Sequence, residues 1–413
     1  MTPQNALNQR CTTDNLGDSA LALFAFSVIF SVTAVEAALL ITLAALLMEK
    51  YRKASLSGLP PKLASHPLFL PWMIYLGICL LTSITAYYPL KGLGQLNSDF
   101  LKYICLFTLF LAVKSKHLPR LSAVYTAAAA VSSLFGIFEA LRPLLAGGGA
   151  LARAGVYMNA VRYGEAMTIA FILILSRLLL PSKEGFKREH LFYLLAAVPV
   201  FAAILFSQAR GSYLGVMAGV IAIFSFAPGV RKKLLVCVVF MLAAVAGLWT
   251  ATPVFKERMS AMATVKQGDF SANSASTGIN VRIELWKLGY KMFKAHPVVG
   301  VGPDNIKRVF KKFHPEPFPE EGVYGTLNNL YIHQAAERGL PGLAALLFLF
   351  VSTFLFALKR FRAAKSPYAL WALGALPAFY VVNLTEISFQ HVHTSFAIFM
   401  ALAFSAAAEE EKV

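Results

Sequence analysis

Across 413 residues, apolar side chains make up 57% and charged ones 14%. Soluble domains are about one-half apolar and one-quarter charged, so a single soluble globular fold is excluded. The formal net charge of +17 would suit nucleic acid only if the cations formed one continuous surface. They instead fall between hydrophobic runs, and no nucleic-acid partner is expected.

The apolar residues gather in runs of about 17 to 25, the length a helix needs to cross a hydrocarbon layer about 30 Å thick. In chain order they predict spans near 19–33, 36–49, 67–86, 100–114, 120–141, 164–181, 190–206, 211–228, 232–250, 340–358, 367–383 and 391–408, about twelve transmembrane helices in an all-α polytopic membrane protein. The stretch 19–49 is interrupted only from Thr33 to Glu36. One helix there would be about 45 Å long, so two short spans are expected. Residues 1–18 carry a single cation, Arg10, and no small-residue cleavage site, which makes the first span an expected uncleaved anchor. Cys11, Cys79, Cys105 and Cys237 show no CxxC pairing. They read as small core residues, not as a disulfide framework or zinc site.

Lys and Arg should collect in every second loop, on the cytoplasmic side. Lys50, Arg52, Lys53 and Lys62 do so, as do Lys114, Lys116 and Arg120, then Lys183, Lys187 and Arg188, then Arg231, Lys232 and Lys233, and finally Lys359, Arg360, Arg362 and Lys365. Both termini are expected to share that side. The outer side then carries loops near 87–99, 142–163, 207–210, 251–339 and 384–390. The chain accordingly divides into spans one to nine (1–250), a periplasmic loop forming a small helical cap (251–339) and spans ten to twelve (340–413).

Within the cap, Asn280 is placed to begin a helix reaching about Ala295, with Ile283, Trp286, Tyr290 and Phe293 on one face and a stop at His296-Pro297. Asp304 can cap a second, with Ile306, Phe310 and Phe313 inward. A third is expected from about Leu327 to Arg338, closed by Gly339 and Pro341. The Gly-, Ser- and Asn-containing stretch from Gly268 to Gly278 reads as the mobile part. The turn Gly300-Val-Gly-Pro-Asp-Asn305 lacks the preceding strand and following lysine of a phosphate loop, so it reads as a tight connection.

Arginines on the outer side run against the orientation rule and ask for a reason. Arg153 and Arg162 lie before span six beside Asn159 and Tyr163. Arg210 opens span eight, and Arg282 opens the first cap helix. A headgroup anchor or an ion pair, such as Arg282 with Glu284, accounts for any one of them. Together, and with Gly211 leaving backbone room at a helix start, they suit a diphosphate at the outer surface. His296 reads as a helix stop. His333 faces Asn329 and Glu337 one turn to either side, an arrangement that orients an imidazole for proton transfer. Glu386, His391 and His393 match no tight metal pattern, and no metal or other cofactor is expected. Glu36, Glu139 and Glu165, in or near spans, keep a transporter of lipid-linked glycan open as an alternative, although no internal repeat supports it.

Arg210-Gly-x-x-Leu-Gly, Asn280-x-Arg282-x-x-x-Trp286, His296-Pro-x-x-Gly-Val-Gly-Pro-x-Asn305 and Ala336-Glu-Arg-Gly-Leu-Pro-Gly342, in this order across the spans, resemble the O-antigen ligase and O-antigen polymerase superfamily of bacterial envelope glycosyltransferases. The resemblance implies a multi-pass protein of the bacterial inner membrane. It would move a glycan from an undecaprenyl-diphosphate-linked donor to an acceptor at the periplasmic face, without nucleotide sugar or metal. In the ligase branch that acceptor is the lipid A-core oligosaccharide of lipopolysaccharide; polymerases and protein O-oligosaccharyltransferases are the near alternatives. Carried over, Arg210 and Arg282 would hold the carrier diphosphate, with Arg153, Arg162, Asn159, Tyr163, His296 and Asn329 as further substrate contacts. One departure stands out: the family's His-[Asn/Ser/Gln]-x9-Gly-x-x-Gly motif, aligned on Gly339 and Gly342, places Asn328 at the histidine. Asn cannot act as a base at neutral pH, so either His333 takes over, or Asn328 orients the acceptor hydroxyl, or catalysis is impaired.

Overall fold

The computed structural model describes residues 3–52, 56–147, 151–180, 186–251, 277–316 and 323–408. Most of the Gly268–Gly278 stretch, together with Lys53 and Lys183, lies outside them. Every regular element among the described residues is helical: α1 (Pro3–Phe30), α2 (Val32–Arg52), α3 (Leu59–Ala64), α4 (Phe69–Ile84), α5 (Pro89–Ala112), α6 (Leu118–Leu145), α7 (Ala160–Leu179), α8 (Phe186–Ser207), α9 (Arg210–Phe226), α10 (Arg231–Ala251), α11 (Thr277–Ala295), α12 (Ile306–Phe313), α13 (Leu330–Ala364), α14 (Pro367–Val382) and α15 (Val392–Ala407). Each predicted apolar run falls on its own helix.

By length and composition four stretches suffice to cross a bilayer, Val32–Arg52, Ser115–Leu145, Arg188–Ser207 and Leu330–Ala364, or five if the bent pair Arg210–Phe226 and Pro228–Gly247 is one span. Others, such as α4, α14 and α15, are apolar but 16 residues long, about 24 Å at 1.5 Å per residue. The chain is a multi-pass membrane protein.

The break in the first apolar stretch falls at Ser31, before the expected Thr33–Glu36. The Ser31 hydroxyl accepts the Ala34 N–H (3.2 Å), satisfying one donor at the start of α2 as a capping serine does. Cys79 and Cys105 are buried free thiols and Cys237 is half-buried; Cys11 lies outside the residues whose side chains are described.

α7, α14 and α15 form the centre of the bundle. Their residues are buried nearly all round, which is where helices apolar on every face belong. Trp371 of α14 donates its indole N–H to the Ile169 carbonyl of α7 (3.0 Å). α9 closes on α14 through Gly211, Gly215 and Gly219, spaced four apart. A Cβ at Gly219 would lie 2.9 Å from the Gly374 carbonyl oxygen, and one at Gly215 would lie 2.7 Å from Val382. This is the small-residue packing by which membrane helices approach closely.

The two ends of the bundle differ. At one end Lys116 and His117 meet Asp18 (3.6 and 3.0 Å), Arg177 pairs with Glu189 and Tyr368, and Arg360 donates to the carbonyls of Ser405 and Ala408 (3.1 and 2.7 Å). At the other end the segments 86–99, 139–163, 205–211, 282–305, 328–338 and 383–393 bond to one another.

α11, α12 and the first turns of α13 build the cap around Val281, Leu285, Leu288, Met292, Val301, Ile306, Val309 and Phe310. α11 starts at Thr277, so Asn280 is a buried interior residue and no cap. Its inward stripe is aliphatic: Tyr290 is 63% exposed, and Ile283, Trp286 and Phe293 are half-buried. The expected face followed the aromatic residues, whereas the small cap core takes compact side chains at helical spacing. α12 is preceded by Asn305, not Asp304, as N-cap. Asp304 sits exposed at φ 53°.

The third cap helix begins at Leu330 and runs into the next span through a kink at Gly339 (φ 63°), two residues before a proline. Pro341 has no N–H, and the Leu340 N–H turns away to the Pro297 carbonyl (2.8 Å), so carbonyls of the preceding turn need other donors. Val301 N–H reaches Ala336 O and Gly302 N–H reaches Glu337 O, each at 2.9 Å. The Gly300–Asn305 turn is therefore a backbone dock. A Cβ at Gly302, where φ is +97°, would stand 2.1 Å from Ala86 Cβ. Gly302→Ala is expected to destabilise the cap by about 2 kcal/mol or more through overpacking and a strained φ, read as faster proteolysis of the cap while the bundle stays folded.

Candidate functional site

The turn between α14 and α15 is the hub of the polar end. Asn383 Oδ1 accepts the Phe389 N–H (3.0 Å), and Asn383 Nδ2 donates to Phe379 O (2.7 Å). The carbonyls of Asn383 and Glu386 both accept the Leu330 N–H (2.8 and 3.0 Å). Asn329 caps α13, its side-chain oxygen taking the N–H groups of Tyr331 and Ile332 (3.0 Å each), while its amide donates to Leu384 O (2.9 Å). The start of α13 is thereby fixed against this turn.

Arg282 reaches the same turn from the cap and pairs with Glu386 (Nη2–Oε1 3.0 Å), not with Glu284, which pairs with Lys287 instead (2.7 Å). Burial raises the Glu386 carboxyl above its ordinary value, opposed by the charges of Arg282, Arg162 and Arg153. Desolvation outweighs three nearby guanidinium groups. Below lies Glu165 of α7, buried and accepting from the Ser388 hydroxyl (2.7 Å). Arg153 donates to Ser207 O (3.1 Å), tying the loop before α7 to the end of α8.

Arg210 is the first residue of α9. Its neighbour Gly211 does not open room for a ligand: a Cβ there would meet Thr385 Oγ1 at 2.3 Å, so the glycine brings the helix start against the Thr385–Glu386 turn. Arg282, Arg162 and Arg153 act on the one carboxylate of this turn, and Arg210 opens the helix whose Gly211 packs against Thr385. Such a group of planar, permanently charged donors at a helix start suits a multiply charged phosphate ester.

The remaining candidates are placed as follows. Asn159 caps α7 by accepting the Val161 N–H (2.8 Å). Tyr163 points into the bundle and donates to Ser132 O (2.9 Å), fully buried. His296 stands at the far end of α11 with its Nε2 2.8 Å from the Tyr87 hydroxyl. Asn328 immediately precedes the docked start of α13 and is half-buried. Its φ of 46° lies in the left-handed region, which asparagine and histidine enter more readily than most residues. His333 is 2% exposed and faces Glu337 (Nε2–Oε2 3.3 Å). It belongs to a second, buried network: Arg338 bonds Asp99 (2.9 Å), Glu337 (3.2 Å) and Gln334 (3.0 Å), and Lys102 stands 3.4 Å from Asp99.

Sequence reasoning found only the His333–Glu337 part of that network; for the rest the signals were the charged pair Glu337-Arg338 at the mouth of an apolar span and Asp99 three residues before Lys102. Two acids that left transport open have local roles. Glu139 Oε2 accepts the N–H groups of Gly155 and Val156 (2.9 and 2.6 Å), and Glu165 holds Ser388. No group of three or more His, Cys, Asp or Glu able to hold a metal occurs among the described residues.

No curated protein matches the chain with significant similarity. The family model described as O-antigen ligase matches residues 195–347, the segment that carries Arg210, Arg282, Asn328, His333 and the Gly300–Asn305 dock. Over this segment the chain is similar to the O-antigen ligase family.

Proposed function

We propose that the protein is an O-antigen ligase-type glycosyltransferase of the bacterial inner membrane, transferring a glycan from undecaprenyl diphosphate to the lipid A-core oligosaccharide at the periplasmic face. In this reading the chain crosses the membrane twelve times, both termini are cytoplasmic, and the end carrying Glu386 faces the periplasm. The observation that carries it is the grouping of Arg282, Arg162 and Arg153 around Glu386, with Arg210 opening the helix whose Gly211 packs on Thr385, within and beside the matched family segment.

The chemistry breaks the bond from the glycan's anomeric carbon to the diphosphate oxygen and makes one to the acceptor hydroxyl. Charge accumulates on the departing diphosphate, where fixed guanidinium groups lower the barrier most. Glu386 holds Arg282 in place rather than touching the sugar. Of the two residues considered for the acceptor, Asn328 is half-buried and next to Asn329, which bonds the turn, while His333 is buried against Glu337. Asn328 therefore orients the hydroxyl, and its proton is lost to solvent as the new bond forms. Asn328→His, which restores the family's residue at a φ that histidine tolerates, is expected to raise kcat at least tenfold by adding a base, measured as transfer rate at saturating acceptor.

As pH falls through the raised Glu386 pKa, the carboxylate takes a proton and its pair with Arg282 is lost. The acid limb of the pH–rate profile is thus expected above the ordinary value of 4.5 and absent from Glu386→Gln, whose rate should stay low throughout. The acceptor assignment is tested by presenting the purified protein with labelled undecaprenyl-diphosphate glycan and either lipid A-core or a second carrier-linked glycan. Product on lipid A-core supports the ligase; lengthened carrier-linked glycan alone indicates a polymerase.

A further inference from the structure

The cap carries cations that the diphosphate site does not use. Between 277 and 316 there are eight Lys and Arg against three Asp and Glu, on what the topology makes the outer side, where the orientation rule gives no reason for them. Lys287, Lys291 and Lys294 are exposed along one face of α11, with Tyr290, 63% exposed, between them. The opposite face of α11 is the cap core. On α12 the exposed residues are Lys307, Arg308, Lys311 and Lys312, while Ile306, Val309 and Phe310 turn inward to the same core.

Of the three acids, Glu284 is taken by Lys287 and Asp304 lies against Arg308 (3.6 Å). Among the described residues no carboxylate pairs with Lys291, Lys294, Lys307 or Lys311. Lys312 donates to the Tyr87 hydroxyl (2.9 Å), which anchors the α12 end of the patch to the bundle. The stripe on α11 begins five residues beyond Arg282, so it runs from about 8 to about 18 Å along the helix from the diphosphate site. Lysines spread over two helices act as point charges that attract a multiply charged partner without fixing one geometry.

We propose that this face binds the acceptor, a glycolipid whose core carries several phosphate groups, and that Lys287, Lys291, Lys294, Lys307 and Lys311 determine acceptor specificity by charge. The proposal rests on the ligase reading. Bulk anionic lipid is the competing partner, but the patch's continuity with Arg282 along one helix favours the co-substrate, which must reach that site.

The test uses the full-length protein in neutral-lipid nanodiscs and a variant with these five lysines changed to Gln. Phosphorylated lipid A-core glycolipid is titrated without donor, then in the transfer assay. The variant is expected to bind it at least about tenfold more weakly and to show the same rise in acceptor KM, with donor KM and kcat unchanged. Dephosphorylated acceptor should bind native protein and variant equally. Native protein that binds acceptor through these lysines but transfers nothing would uphold the patch and remove the ligase reading. Unchanged acceptor affinity in the variant would overturn the patch, as would equal displacement of the acceptor by phosphatidylglycerol at matched charge; either could occur with transfer intact.

Discussion

Arg338→Ala is expected to destabilise the protein by about 3–5 kcal/mol, the cost of removing one partner from a buried ion pair. The guanidinium is 1% exposed and bonded to Asp99 and Glu337, whose side chains are each 2% exposed. Removing it leaves two carboxylates enclosed, with Lys102 and His333 as their remaining partners. The effect should exceed that of Asp99→Asn, which leaves Arg338 paired with Glu337. Because Glu337 also accepts the Asp304 N–H (2.8 Å) and its carbonyl the Gly302 N–H, the loss should reach the cap dock. Thermal unfolding in detergent is the measurement, with a fall of at least about 5 °C expected and the cap cleaved by protease before the bundle. An unchanged midpoint would mean that the network is not what holds the cap to α5.

Arg282→Ala is expected to lower kcat by about 100- to 1,000-fold, the range for removing one preorganised donor from developing negative charge, with little change in thermal midpoint. The two arginines thus separate cleanly: Arg338 is buried and structural, while Arg282 is half-buried and, among the described residues, paired with Glu386 alone. Lysine at 282 should recover part of the rate, since it restores charge without the planar pair of donors. The KM for acceptor should hardly move, because the lost interaction belongs to the leaving group.

The contrast shows how much the sequence could reveal. Hydrophobic runs located every long apolar helix among the described residues, because a bilayer imposes one length and one composition on its spans. Arginines in the predicted outer loops stood out because they break the orientation rule, and three of them, Arg282, Arg162 and Arg153, act on Glu386. What the pattern could not reveal was pairing across distance. Asp99 and Arg338 are 239 residues apart, and nothing local marks them as partners. Arg282 has a carboxylate two residues away, yet its own partner is Glu386, 104 residues on. Gly211 illustrates the same limit, since a missing side chain signals close approach without saying by what; Thr385 fills the space. His333 looked poised for proton transfer from its helical neighbours, and one of them, Glu337, does face it. Only the fold reveals that this pair is enclosed beside Arg338, while Asn328 is next to Asn329, which bonds the turn between α14 and α15.

The central claim is that this turn is the donor diphosphate site. It is tested most directly by glycan transfer in vitro from undecaprenyl-diphosphate glycan to lipid A-core, comparing native protein with Arg210→Ala at equal folded amounts. Product is expected from the native protein, with a loss of at least about 100-fold in the variant. Full activity in Arg210→Ala would contradict it, because the residue that opens α9 against Thr385 would then have no part in holding the leaving diphosphate.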